Sequence, residues 1–338
     1  MASDVIFSEN TVYNNDSWGS QNGDGYGYQY NPHNTWFIFN KAYDVNFGIR
    51  QSDSMSGVYS EWSLAGGAYG QWYIFFEVWH NGVLYYCKST HVPSADNEPG
   101  VGINWENYWV ASDGTVTDAY DQRKVYILGN DFHDIYPRRE GAAGTYIAND
   151  MFRSGVGIAL WRGNEQRWVI NNTIVNAYDG ITVNSPGNLT MEGNIISGPY
   201  ATGYQMDVGQ AYAVTNSDYN NWYDSNGTRL RWNGSVYNSS SALNAAKGQC
   251  AHCIDSDPLF VDTNSDNYQL QSNSPAIDAD SLSDVYATFN NLYGVSINYD
   301  IAGIARPQNS LWDIGAYEYA ESGTDIISPA SPSGLNVL

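Results

Sequence analysis

The sequence predicts an all-β solenoid: a parallel β-helix with rungs of about 22 residues and a small inserted β-rich module. Three observations carry the prediction. First, between Gly144 and Gly203, Asn149, Asn172 and Asn194 each follow a short apolar run and are answered downstream by Gly157, Gly180 and Gly203; the asparagines step by 23 and 22 residues and the glycines by 23 and 23. Second, the chain alternates after each glycine, as Gly157-Ile158-Ala159, Gly180-Ile181-Thr182 and Gly203-Tyr204-Gln205, so one residue points in and the next out. Third, the same spacing joins Asn40 to Gly48 far upstream.

A unit this short holds only brief strands and tight bends and cannot bury its apolar face alone, so rungs must stack. Stacking puts Ile158 over Ile181 as an apolar ladder. It also lets matched asparagines bond from rung to rung, because an amide carries both donors and an acceptor. Leucine-rich repeats of similar period need leucines at set positions, where this chain has β-branched residues, Asn and Gly.

Composition adds a setting. Only 14 Lys+Arg stand against 36 Asp+Glu, a net charge of −22, which argues against nucleic acid or an anionic membrane as partner for the surface as a whole. No apolar run is long enough for membrane insertion, and Met1 to Asn10 lacks the basic start and apolar core of a secretion signal. Val5-Ile6-Phe7 followed by Asn10 already reads as mid-rung, so further rungs or a cap are expected upstream. The 28 Tyr and 12 Trp suit rings that stack on sugars, although aromatics in strands also serve packing.

In chain order, residues 1–56 supply the first rungs, with Gly27-Tyr28-Gln29 and Gly48-Ile49-Arg50 as matched steps. The next asparagine in register, Asn130, comes 90 residues after Asn40, so a segment at 57–113 must leave the solenoid. Within it, Val78-Trp79-His80-Asn81-Gly82 leads into Val83-Leu84-Tyr85-Tyr86-Cys87, then Asn97-Glu98-Pro99-Gly100 and Trp105-Glu106-Asn107-Tyr108-Trp109. This apolar strand, Asn-Gly turn, Tyr strand, acidic-Pro-Gly loop and closing Trp-x-x-Tyr-Trp resembles the small chitin-binding modules of families 5 and 12 and their relatives on phage tail proteins. The resemblance implies a compact carbohydrate-binding module, with Tyr85, Trp105 and Trp109 as substrate-binding rings.

Rungs resume at Lys124-Val125-Tyr126-Ile127 and fill 114–320. Ser239 to Lys247 reads as a short helix. Cys250-Ala251-His252-Cys253 reads as a local disulfide or two free thiols, since no second pair completes a zinc tetrad. The tail then gives Asp257-Pro258-Leu259-Phe260-Val261-Asp262, Ser274-Pro275-Ala276-Ile277-Asp278, Asp300, Arg306-Pro307 and Asp313-Ile314-Gly315-Ala316-Tyr317-Glu318-Tyr319. This order resembles the C-terminal end of secreted right-handed parallel β-helix proteins of the pectate-lyase-like superfamily, including those with the choice-of-anchor ending. The resemblance implies a right-handed solenoid, an extracellular or cell-surface home and glycan-related work, but no single reaction. The Ser/Pro-rich 321–338 reads as a linker toward a following domain of fibronectin type.

The polygalacturonase marks (Asn-Thr-Asp, Asp-Asp, Gly-His-Gly, Arg-Ile-Lys) are absent. Lyases on acidic glycans need a cation, Ca²⁺ or Arg, to neutralise the uronate carboxylate, and a base to take the neighbouring proton. Seven of the 14 basic residues (Arg123, Lys124, Arg138, Arg139, Arg153, Arg162 and Arg167) fall between 123 and 167. The rung of Asn130 carries Arg138 and Arg139 where others carry Gly. The expected site therefore has Arg138 and Arg139 at its centre, His133, Lys124 or Tyr136 as proton acceptor, and Arg50, Arg153 and Arg162 holding substrate. Asp44, Asp134 and Asp179 occupy similar turn positions and suit Ca²⁺ or backbone capping. The expected function is a polysaccharide lyase acting by β-elimination. The alternatives are a non-catalytic adhesin or tailspike-like glycan binder, in which the same residues only hold sugar, and a hydrolase with a carboxylate pair such as Asp131 and Asp150.

Overall fold

The computed structural model describes residues 4–15, 24–28, 34–51, 58–59, 62–64, 77–81, 83–111, 124–136, 155–160, 166–184, 188–198, 203–209, 214–281 and 283–321. It is a parallel β-helix with three long sheets. Sheet A stacks β1 (Asp4–Ser8), β4 (Asn34–Ile38), β11 (Lys124–Leu128), β14 (Gln166–Ile170), β17 (Leu189–Glu192) and β20 (Val214–Asp218). Sheet B stacks β2 (Thr11–Asn15), β5 (Lys41–Val45), β12 (Asp131–Ile135), β15 (Thr173–Ala177), β18 (Ile195–Ser197) and β21 (Asn221–Tyr223). Sheet C stacks β3 (Asp24–Tyr28), β6 (Phe47–Gln51), β13 (Val156–Leu160), β16 (Asp179–Val183), β19 (Met206–Val208) and β22 (Leu230–Trp232), and ends on the antiparallel β23 (Ser235–Tyr237).

Each rung turns from sheet A to sheet B through one left-handed residue followed by asparagine. Glu9, Phe39, Gly129, Asn171, Gly193 and Tyr219 all have φ between 52° and 63°. The asparagines Asn10, Asn40, Asn130, Asn172, Asn194 and Asn220 form the expected ladder, each Nδ2 donating to the Oδ1 of the next at 2.8–3.2 Å. Ile158 pairs with Ile181 in parallel register and both are fully buried, with Ile49 and Met206 continuing the row.

Three assignments of register need correction. The ladder passes from Asn130 straight to Asn172, so Asn149, which lies outside the described residues, does not head the preceding rung. The rung of Asn130 keeps its glycine step after all: β13 holds Gly157 beside Gly48 and Gly180, and segment 137–154 lies between β12 and β13. The matches to Gly180 and Gly48 in the outer rungs are Gln205 and Gly25, two residues from the expected Gly203 and Gly27. A side chain at Gly48, Gly157 or Gly180 would run within 3 Å of the next rung's backbone carbonyl, which is why the central rungs repeat glycine there.

The inserted segment forms its own sheet, β7 (Val58–Tyr59), β8 (Glu77–His80), β9 (Val83–Cys87) and β10 (Trp109–Ala111), around a separate core of Trp62, Val78, Tyr85, Cys87 and Trp109. β8 and β9 are joined at Asn81-Gly82, where Asn81 takes φ 51° as such a hairpin requires. Beyond the last rung, α1 (Ser240–Lys247) starts on Ser239, whose side chain accepts from the Ala242 N–H, and Leu243 closes the solenoid core together with Cys250, which is disulfide-bonded to Cys253.

The tail folds back over the solenoid. α2 (Asp284–Tyr293) packs Val285, Tyr286 and Phe289 on Trp36, Tyr126 and Ile170 of sheet A. The hairpin of β24 (Phe260–Asp262) and β25 (Asn267–Leu270), with Ile314, Ala316 and Tyr317, packs on Val175 and Ile195 of sheet B. The acidic tail residues hold backbone: Asp300 accepts from Ala302, Ile304 and Glu318 N–H groups, and Asp313 from Asp278 and Tyr319. Arg306, fully buried, donates to the carbonyls of Asp313 and Gly315. The tail motif therefore builds a polar scaffold whose buried carboxylates accept from backbone N–H groups.

Candidate functional site

The outer residues of the three sheets face three directions, and this decides which predicted residues can meet. On sheet C, parallel register places Arg50, Ala159, Thr182, Asp207 and Arg231 in one row on successive rungs. Arg231 donates from Nε to Asp207 Oδ1 at 2.6 Å, and its Nη2 holds Oδ2. The guanidiniums of Arg229 and Arg231 lie 4.7 and 4.6 Å from the Tyr204 ring, and that of Arg50 lies 5.0 Å from Phe47. Thr182, expected to face solvent, is buried, and its Oγ1 has no hydrogen-bond partner among the described residues. Among the described residues, the outer apolar clusters of sheets A and B contain tail residues, whereas that of sheet C (Phe47, Val156 and Ala159) contains none, although Arg50, Ala159, Thr182 and Asp207 of its outward row are all buried.

Sheet B carries a second group. Tyr13, Tyr43 and His133 stack with ring centroids 5.2 and 4.9 Å apart, the rung spacing, and Tyr268 of the tail lies 5.0 Å from His133. Asp134 accepts from Tyr136 Oη at 2.9 Å and from Asn176 Nδ2 at 2.5 Å, and lies 3.3 Å from His133 Nδ1. Burial opposes charge on His133, but the Asp134 hydrogen bond and the charges of Asp131 and Asp266 outweigh it and hold the imidazole above its ordinary value. The His133 bond in turn holds Asp134 below the usual carboxylate range. Asp131 is buried against Tyr317, whose hydroxyl donates to it at 2.5 Å, with Lys41 at 3.7 Å; desolvation pushes its carboxyl up.

Of the predicted site, His133 and Tyr136 do come together on Asp134, but on sheet B under the tail, where His133 is 4 % exposed. Lys124 begins β11 on sheet A and is not among their partners. Arg50 lies on sheet C. Arg138, Arg139, Arg153, Arg162 and Asp150 lie outside the described residues. Asp131 is enclosed by Tyr317 and Lys41, which removes it as an open hydrolytic carboxylate. Asp44 and Asp134 are rung neighbours, but the next position in that column is Asn176; Asp179 sits on sheet C and accepts from the Tyr204 N–H, so the three carboxylates do not gather around one ion.

In the inserted module, Trp109 and Tyr85 are not surface rings. Trp109 is 1 % exposed and donates its Nε1 to the Asn97 carbonyl, and Tyr85 packs in the same core. Trp105 is half-buried, edge-on to Tyr85 at 5.6 Å. Sequence reasoning passed over Asp207, Arg231 and Tyr204. The 24-residue step from Asp207 to Arg231 was a usable signal once Gln205, not Gly203, is matched to Gly180. Asp266 and Tyr268 were not legible as partners of His133, because only the folding back of the tail brings them there.

No family model, no curated protein and no solved structure matches the chain.

Proposed function

We propose that this is an extracellular, polysaccharide-active β-helix that engages an acidic glycan beside sheet C, through the basic residues that precede and follow β13 in the chain, and cleaves it by β-elimination. The observation that carries the reading is the position of the basic residues around one strand. Segment 137–154, with Arg138, Arg139 and Arg153, joins β12 to β13; Arg162 follows β13 by two residues; and Arg50 pairs in register with Ala159 of β13. In a chain of net charge −22, binding a polyanion needs such a local concentration of guanidiniums. Their forked donors match carboxylates.

In the reaction, a base takes the proton beside the uronate carboxylate, the bond to the leaving sugar oxygen breaks, a carbon–carbon double bond forms, and the departing oxygen is protonated. An arginine on the carboxylate stabilises the charge that develops as the proton leaves. Tyr204, whose ring has the guanidiniums of Arg229 and Arg231 at 4.7 and 4.6 Å, is the phenol beside sheet C that we assign to the proton step. The likeness of the tail to pectate-lyase-like proteins and of the insert to chitin-binding modules fits this reading, with Trp105 as the module's sugar-facing ring.

A panel of acidic glycans, followed by ultraviolet absorbance of unsaturated uronate ends, tests the reaction. Turnover on one glycan that is abolished in an Arg138→Ala/Arg139→Ala variant of unchanged Tm is the expected result. Salt-sensitive binding without product supports the non-catalytic glycan-binding alternative. The absence of both binding and turnover across the panel overturns the proposal.

A further inference from the structure

Under the tail, one imidazole and two carboxylates converge from distant parts of the chain. His133 Nδ1 lies 3.3 Å from Asp134 Oδ2 and 3.8 Å from Asp266 Oδ1, and one donor atom from each of the three residues lies within 4.8 Å of the others. We propose that His133, Asp134 and Asp266 bind one divalent transition-metal cation of the zinc or manganese type, which clamps the tail onto the rung of Asn130. Nitrogen and oxygen ligands about 2.0–2.2 Å from an ion stand roughly 3.0–3.5 Å apart around it. The His133–Asp134 separation already fits. The Asp266 carboxylate, 55 % exposed, has room to turn in.

The donor set fixes the class of ion. Calcium and magnesium take oxygen ligands, whereas an imidazole with carboxylates suits the later divalent metals and manganese. The site residues also have outer contacts, and Asp134 takes its hydrogen bonds on the oxygen turned away from His133, as carboxylate ligands of metal sites do. The His133 ring is stacked against Tyr43, Asp134 Oδ1 accepts from Tyr136 and Asn176, and the Tyr268 hydroxyl lies 3.3 Å from Asp266 Oδ1.

An independent feature of the same face points to a cation. Asp131, two residues before His133 on the outer side of β12, is 1 % exposed; its Oδ2 accepts from Tyr317, but its Oδ1 has no hydrogen-bond partner among the described residues. A buried anionic oxygen left so is costly unless positive charge stands near. Among the described residues, Asp131, Asp134 and Asp266 are offset there only by Lys41 and the imidazole itself. A divalent ion completes the balance.

The full chain, stripped with chelator, is titrated calorimetrically with Zn²⁺, Mn²⁺ and Ca²⁺ alone, with Tm followed in parallel. Expected are one equivalent of Zn²⁺ or Mn²⁺, a raised Tm, and affinity at least about tenfold weaker in Asp266→Asn, which replaces an exposed side chain and leaves the core intact. His252→Ala, which removes the separate exposed pair of His252 with Asp218, leaves that equivalent in place. Absence of Zn²⁺ and Mn²⁺ binding, binding unchanged in Asp266→Asn, loss in His252→Ala, or Ca²⁺ bound as tightly as Zn²⁺ each overturns the assignment.

Discussion

Asn172 donates both its backbone N–H and its Nδ2 to the same oxygen, Asn194 Oδ1, at 3.0 and 2.9 Å. Its own Oδ1 accepts the equivalent pair from Asn130, and its Nδ2 also reaches the carbonyls of Ile127 and Ile170. One fully buried amide thus satisfies backbone and side-chain groups of three consecutive rungs. Replacing it with leucine strands several buried donors and acceptors at once. At about 1–3 kcal/mol for each group left unmade, Asn172→Leu should cost at least about 3 kcal/mol in denaturant melts. Asn10 ends the ladder and is exposed, so Asn10→Leu should cost under about 1 kcal/mol. Equal costs would show that the ladder does not act through burial.

The pair Ile181 and Thr182 separates two kinds of burial. Ile181→Asp places a charge inside the solenoid and should prevent folding. Thr182 faces outward yet is buried, with a hydroxyl that has no hydrogen-bond partner among the described residues. Thr182→Val should therefore be neutral or stabilising by up to about 1 kcal/mol, while Thr182→Asp should cost more than about 2 kcal/mol. A Thr182→Asp variant that melts like the parent would contradict the burial.

Much of this fold is legible in residue spacing. The asparagines of the ladder and the glycines at 48, 157 and 180 repeat because a rung that changes them loses buried hydrogen bonds or strikes the next backbone carbonyl. What fails is register across excursions. A long segment leaves no trace of where the chain rejoins, so Asn149 read as a rung head and Gly203 displaced Gln205. The site was less legible still. His133 and Tyr136 lie near each other in sequence and do meet, but the face they share was hidden, because Tyr268 and Tyr317 reach sheet B only through the tail's return path. Trp109 and Tyr85 show the limit of aromatic content as evidence: a small module needs its rings for its own core.

Stability should rise on mild acidification. Burial pushes the Asp280 and Glu318 carboxyls up to about 7, against the partial compensation of Asn171 and Arg306 respectively. Unfolded carboxyls titrate near 4, so ionising these two in the fold costs stability above pH about 7, and that cost disappears as pH falls toward about 4. In the metal-free protein His133, held above its ordinary value, adds stability in the same direction, which is lost as pH rises through its folded value. Asp134, held low, opposes only once pH falls below the usual carboxylate range. Tm of the chelator-treated protein should therefore be higher at pH 5.5 than at pH 8, with net proton uptake on folding between them. A lower Tm at pH 5.5 would refute this account.

Asp207 and Arg231 make an ion pair whose two halves differ in access to water, and the difference predicts unequal costs. The Asp207 side chain is 1 % exposed and that of Arg231 is 23 % exposed. Arg231→Ala removes the guanidinium that grips both carboxylate oxygens and leaves the acid in a buried position, where loss of one partner typically costs about 3–5 kcal/mol. Asp207→Ala leaves a guanidinium that still lies over Tyr204 at 4.6 Å and can turn toward solvent, so it should cost less, about 1–2 kcal/mol. Removing both should restore part of the loss seen for Arg231→Ala, because the buried acid is removed together with the guanidinium that balances it. A double-variant cycle by urea melts checks the ordering. If Asp207→Ala proved the more damaging single change, the burial asymmetry would not be what sets the strength of this pair.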